Sequence, residues 1–284
     1  MENPTDNGGD VFLLCVSSID APGLRANLTG VTNQIGTMCT AYVQVATHGN
    51  LYQIPQDRSD NESIYLGVAR KKDFKSVYSN QMLGSNKPGR AIYDRILGSA
   101  PGGKCPLCGF GQAKTLDHYL PKSRYPQFSV FPSNLVPACY DCNIGKRNGV
   151  ANDRVSQSIH PYFDQALINE QWLFARVIPH PFTIEFSVTP PHQWENDDKE
   201  RVRSHFSLMD LQKRLATEAT DELAAIHGIV MRNVLQYGFT AQDIRDDLLA
   251  RAVDRYAVHK NSWQTALYQA LGNSEWYCRE GYQV

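Results

Sequence analysis

No stretch of this chain approaches the ~20 consecutive apolar residues that a membrane-spanning helix needs, although 42% of its 284 residues are hydrophobic. A secretory signal is missing as well. Met1–Asp10 is acidic, and the mostly apolar Val11–Ile19 that follows lacks a positive n-region and a clear cleavage site. The seven cysteines are an odd number, which suits a reducing compartment better than a disulfide framework. There are no internal repeats and no low-complexity tract, so solenoid arrays and global disorder are excluded. The expectation is a soluble, cytoplasmic globular protein of one large or two modest domains. Net charge is scarce too: Lys+Arg is 28 and Asp+Glu is 29, leaving −1. Taken alone, that speaks against a nucleic-acid binder, because a phosphate polymer attracts a basic protein.

The near-neutrality is a cancellation. Residues 1–69 carry 2 basic and 7 acidic side chains, residues 70–150 carry 13 and 4, and residues 151–284 carry 13 and 18. The thirds are therefore −5, +9 and −5. A basic middle between acidic flanks is an electrostatic footprint whatever the total. The acidic flanks are expected to restrain indiscriminate DNA binding or to offer a partner surface.

Along the chain, residues 1–10 read as disordered, inside a leader over 1–20. Leu24, Leu28, Val31, Ile35, Met38, Tyr42 and Val45 recur at helical steps, predicting one helix with Asp20 as N-cap and Pro22 in its first turn. Gly30 and Gly36 weaken it. Asp73–Leu83 and Arg90–Leu97 read as two short helices that complete a helical region over 21–100. A cysteine-rich core spans 101–165. Beyond it, over 166–284, Trp172–Ile178 and Thr183–Val188 read as a β-hairpin. A long helix starts at Leu208, a capped helix follows Thr240 and Asp243, and a last one carries Trp263, Leu267 and Leu271.

The chemistry is concentrated in the core. Cys105-Pro-Leu-Cys108 and Cys139-Tyr-Asp-Cys142 are two CxxC knuckles, each offering two thiolates, and together they complete a tetrahedral structural zinc site. Their separation exceeds that of a simple zinc ribbon, so a functional insert lies between them. It holds Leu116-Asp117-His118 and Asn134, and the second knuckle runs into Asn143-Ile-Gly-Lys146-Arg147.

In that order the residues resemble the HNH endonucleases of the ββα-metal class, in a four-cysteine zinc version with Asn143 at the last His position. The fold class then expected is α+β, mostly helical: a ββα-metal HNH core with structural zinc, a helical N-terminal region, and a small β-hairpin and helical region at the C-terminus. His118 suits a general base, since an unperturbed imidazole titrates near 6.5. The resemblance implies that Asn134 fixes the loop and the orientation of His118. It also implies that Asp117 and Asn143 ligate one divalent cation, hard enough to be Mg²⁺ or Mn²⁺, and that the products carry 5′-phosphate and 3′-hydroxyl ends. Lys122, Arg124, Lys146 and Arg147 are the expected DNA contacts. Arg70, Lys71, Lys72, Lys75, Lys87, Arg90 and Arg95 are expected to extend that surface along the duplex. His160 reads as structural.

The layout more weakly resembles HNH subunits of antiphage systems of the Septu type, which implies an ATPase partner. A restriction or mobile-element nuclease is the first alternative, and a non-catalytic zinc-stabilised DNA-binding or scaffold protein the second. A homo-oligomer is left open, and no membrane partner is expected.

Overall fold

The computed structural model describes residues 1–146 and 149–283. Arg147, one of the expected DNA contacts, lies outside the described residues. The chain is α+β and divides into two compact units, Met1–Gln165 and Ala166–Val284.

The first unit begins with a helix where a disordered leader was expected. α1 (Gly8–Ser17) is capped by Asn7, whose Oδ1 accepts from Gly9 N at 2.8 Å and Asp10 N at 3.2 Å. It buries Val11, Phe12, Cys15 and Val16, an apolar face that the acidic, glycine-rich start of the sequence masks. The stretch read as one helix is two, α2 (Pro22–Thr29) and α3 (Thr32–Ala46), parted at Gly30-Val31. Asp20 caps neither. A Cβ on Gly9 would lie 3.2 Å from Gly36 Cα, so the glycine that lowers α3 propensity is where α1 and α3 touch.

Residues Ile64–Leu66 (β1) and Ala69–Arg70 (β2) form a small hairpin before α4 (Lys71–Ser76). The chain then widens into a π-helical turn, Val77–Met82, and continues to α5 (Gly89–Gly98). β3 (Thr115–His118) pairs antiparallel with β4 (Leu135–Ala138), setting Asp117 opposite Val136 and His118 opposite Leu135. α6 (Tyr140–Lys146) follows. From sequence Asn143 is expected to begin this helix; α6 instead starts at Tyr140 and places Asn143 one turn inside.

The basic middle third does not form one continuous positive surface. Arg95 bonds Asp6, Lys87 reaches Asp20 at 3.3 Å, and Arg70 and Lys72 share Glu62 at 2.9 and 2.6 Å. Lys71 is buried, with its ammonium on the carbonyls of Asp57 and Ser59 and 3.4 Å from the Asp57 carboxylate. Arg90 pairs with Asp94. The acidic N-terminal flank thus folds against the basic segment and pairs five of its 13 cations. Exposed pairs of this kind contribute little stability, about 0–1 kcal/mol each, but they weaken the positive field along that segment. Among the described residues, Lys75, Lys104, Lys114, Lys122 and Arg124 keep no carboxylate partner.

The second unit opens with α7 (Gln165–Ile168) and the expected hairpin, β5 (Leu173–Pro179) and β6 (Phe182–Val188), in register from Leu173 opposite Val188 to Pro179 opposite Phe182. α8 (Asn196–Leu208) then precedes α9 (Leu211–Tyr237), the two broken at Asp210, whose φ is +49°. α8 escaped the sequence reading because its apolar residues are too few to mark a face. α10 (Ala241–Val258) carries the Thr240–Asp243 capping box, and α11 (Trp263–Asn273) and α12 (Glu275–Arg279) close the unit. Several acids of the C-terminal flank are engaged locally: Asp243 in that cap, Asp247 by Arg251, and Glu200 by Arg203.

Candidate active site and metal centre

The four knuckle cysteines converge. Their sulfurs all lie within 4.8 Å of one another and all four are buried. Cys108 Sγ and Cys139 Sγ are 3.8 Å apart, the edge of a tetrahedron whose centre is about 2.3 Å from each sulfur, and far beyond a disulfide bond. Local backbone builds the first knuckle. Gly109 takes φ +79°, its N–H donates to Cys105 O at 2.8 Å, and Gly111 N–H points at Cys108 Sγ at 3.4 Å. A Cβ on Gly111 would sit 2.9 Å from Cys139 Sγ, so the cradle is closed by glycine. The donor set, geometry and burial fit a metal ion such as zinc.

Next to this cluster, β3, β4 and α6 bring Asp117, His118 and Asn143 to one cleft of about 330 Å³, shared with Thr115, Tyr78 and Lys122. His118 ends β3, where the strand gives way to the Pro121 turn, so adjacent residues can serve the same cleft. His118 Nε2 lies 2.8 Å from the carbonyl oxygen of Ser129. A carbonyl can only accept, so Nε2 carries the proton and Nδ1 is the basic nitrogen. Nδ1 has no partner among the described residues. Burial pushes the imidazole down to about 3, and the Lys122 and Lys146 charges push the same way. Tyr78 packs edge-on to the ring, with centroids 4.4 Å apart.

Asn134 is fully buried, and its side-chain hydrogen bonds go elsewhere than His118. Its Oδ1 accepts from Leu120 N at 2.7 Å and from the Tyr42 hydroxyl at 3.1 Å, while its Nδ2 donates to Leu120 O at 3.0 Å and Phe128 O at 3.2 Å. It therefore clamps the loop after His118, as expected, but the histidine itself is oriented by Ser129. His160 is structural: it stacks on Tyr119 at 4.0 Å and its Nε2 lies 3.2 Å from the Tyr42 hydroxyl. Tyr42, from α3, thus joins Asn134 to His160. Changing Tyr42→Phe should cost about 1–3 kcal/mol, because Asn134 and His160 lose a buried partner. Urea unfolding measures this, and an unchanged midpoint would show the hydroxyl to be idle.

Lys146, expected at the DNA surface, is enclosed. Its ammonium is 2.9 Å from Asp117 Oδ2, 3.1 Å from His118 O and 2.7 Å from Tyr119 O, with both charged side chains over nine-tenths buried. It pins the end of β3 and is unavailable to phosphate. Burial still raises the Asp117 carboxyl, against the pull of Lys146, so a further cation would relieve that carboxylate. Lys146→Met would leave a buried charge without its partner and should destabilise the fold by about 3 kcal/mol or more. A shift of the denaturant midpoint checks this.

Asn143 Nδ2 donates to Thr115 Oγ1 at 3.0 Å, and its Oδ1, with no hydrogen-bond partner among the described residues, is the atom that could ligate a cation. Asp117 and Asn143 offer hard oxygens, and these fit a small divalent cation. Lys122 lies on the cleft with Nζ 4.3 Å from the Tyr78 ring centre, and Arg124 sits on the same turn with no side-chain partner among the described residues. Ser129 and the Tyr42 link were missed from sequence: Ser129 acts through its carbonyl, which leaves no side-chain signature, and Tyr42 sits at a position that reads as core. Tyr78 reads from sequence as a residue that packs on the zinc segment, and its hydroxyl lies 3.5 Å from Leu116 O.

No family model matches the chain, and no solved structure matches it. Over 231 residues it is 37% identical to protein ea31 of Escherichia phage lambda, covering 76% of this chain and 77% of that one. The chain belongs to the family of that phage protein.

Proposed function

We propose that this protein is a metal-dependent endonuclease of the HNH type that hydrolyses phosphodiester bonds in DNA. The observation that carries the reading is the state of His118: neutral, turned by the Ser129 carbonyl so that Nδ1 is the base, in one cleft with Asp117 and Asn143. Asp117 and His118 end one strand of an antiparallel pair and Asn143 lies on the helix that follows that pair, which supports the order the HNH resemblance implies. His118 Nδ1 would take the proton of the attacking water. Asn134, Lys146 and Ser129 hold the strand end and the loop so that this nitrogen stays in place. Asp117 and Asn143 would hold Mg²⁺ or Mn²⁺, which would supply charge stabilisation at the scissile phosphate. Lys122 and Arg124, which keep no carboxylate partner among the described residues, would be the DNA contacts nearest the cleft. Kinship with a phage protein favours a phage or mobile-element setting over an antiphage pairing with an ATPase.

Supercoiled plasmid incubated with the full chain and Mg²⁺ should be converted to nicked or linear DNA, and excess chelator added with the metal should stop it. Equal conversion with and without chelator would overturn the metal requirement, and no conversion with Mg²⁺ or Mn²⁺ would count against the enzyme.

A further inference from the structure

α9 has a face that its own unit leaves uncovered. Its buried residues Leu211, Leu215, Ala219, Ile226 and Val230 mark the side that packs inward. Glu218, Asp221, Ala225, Gly228, Arg232 and Leu235 recur at steps of three and four on another side, and all six are exposed. At 3.6 residues per turn the two stripes lie about 120° apart. Leu235 is 76% exposed, and the helix surface is shallowly hollowed and open to solvent at Ala225, Gly228 and Ile229.

Two details point beyond the single chain. Gly228 weakens the middle of a 27-residue helix, yet a Cβ built on it meets nothing within 4 Å, so no contact inside the molecule calls for glycine. The charges on the stripe are also sorted. Glu218 and Asp221 lie on the N-terminal side of Gly228 and Arg232 on the C-terminal side, and none of the three has an ion-pair partner among the described residues.

We infer that α9 pairs antiparallel with α9 of a second copy of this chain, crossing at Ala225 and Gly228. A two-fold axis passing between Ile226 and His227 sets Ala225 on Gly228 of the second copy and Asp221 opposite Arg232 of the second copy, each contact made twice. The small residues let the helix backbones approach closely, Leu235 packs toward the second copy's Glu218 stem, and the self-complementary surface closes as an isologous dimer. Parallel pairing would instead oppose Asp221 to Asp221 and Arg232 to Arg232, so the charges select the antiparallel arrangement. This inference does not rest on the nuclease reading.

Light scattering on the full chain without DNA tests it. At about 100 µM the protein should run at twice its 31.9 kDa. Arg232→Glu should weaken the dimer about tenfold or more, and Asp221→Arg added to it should restore the dimer. Gly228→Leu should give a monomer with an unchanged or raised melting temperature. A wild-type monomer at that concentration, a dimer indifferent to Arg232→Glu and Gly228→Leu, or a charge swap that fails to restore pairing overturns the inference.

Discussion

Replacing His118 with alanine is expected to lower the rate of plasmid nicking by about 10²–10⁴, the usual contribution of a positioned general base, with the zinc content and the far-UV spectrum unchanged. The same residue sets the pH behaviour. Because the folded imidazole is pushed down to about 3 by burial and by the Lys122 and Lys146 charges, it stays neutral across the ordinary assay range. The profile of kcat/KM should therefore show no acid limb from His118 near 6.5. Stability carries the opposite face of this shift. The unfolded chain accepts the proton near 6.5 and the folded one only near 3, so protonation favours unfolding. Wild-type stability should fall as pH drops through that window, with His118 contributing up to about 1.4 kcal/mol per pH unit. His118→Ala should lose that slope. Urea midpoints at neutral and mildly acid pH measure it, and equal slopes in the two proteins would mean that the imidazole is not held neutral.

The other large effect is expected at the metal centre. Cys139→Ser removes one of four converging sulfurs and should drop bound zinc well below one ion per chain. Structural zinc binding amounts to about 10–16 kcal/mol in small zinc domains, more than the net stability of most whole domains. Cys139 joins β4 to α6, and Cys142 lies within α6 beside Asn143. Losing the ion should release the helix that carries Asn143 and Lys146, and with it the support of Asp117. Cleavage should vanish although no reacting group has been changed. Metal analysis together with limited proteolysis checks this, and a zinc-replete, active Cys139→Ser protein would refute the role given to the cluster.

What the sequence made legible was whatever side-chain type and spacing encode. The paired CxxC knuckles located the buried sulfur cluster, and Asp117, His118 and Asn143 do share a cleft. The hairpin after Trp172 and the Thr240–Asp243 cap were readable because alternation and capping are local signals. What escaped depends on tertiary partners. Lys146 looked like a surface cation, because nothing in its neighbourhood announces that Asp117, 29 residues earlier, would enclose it. The basic stretch from Arg70 to Arg95 looked like a DNA face, because Asp6 and Asp20 lie 89 and 67 residues from the cations they meet, and Asp57 and Glu62 reach theirs only once the short hairpin before α4 has folded. α1 was missed because its glycines, unfavourable by propensity, are what allow it to cross α3. The role of Ser129 is carried by a backbone carbonyl, which any residue type supplies.

The most direct test sets zinc-loaded wild type beside zinc-loaded His118→Ala, matched for melting temperature, on supercoiled plasmid with saturating Mg²⁺ and in single turnover. The nuclease reading expects wild type to nick the plasmid, leaving 5′-phosphate and 3′-hydroxyl ends, and the variant to be slower by about 10² or more. Two proteins that nick at the same rate, or wild type that leaves the plasmid intact with both Mg²⁺ and Mn²⁺, would contradict it.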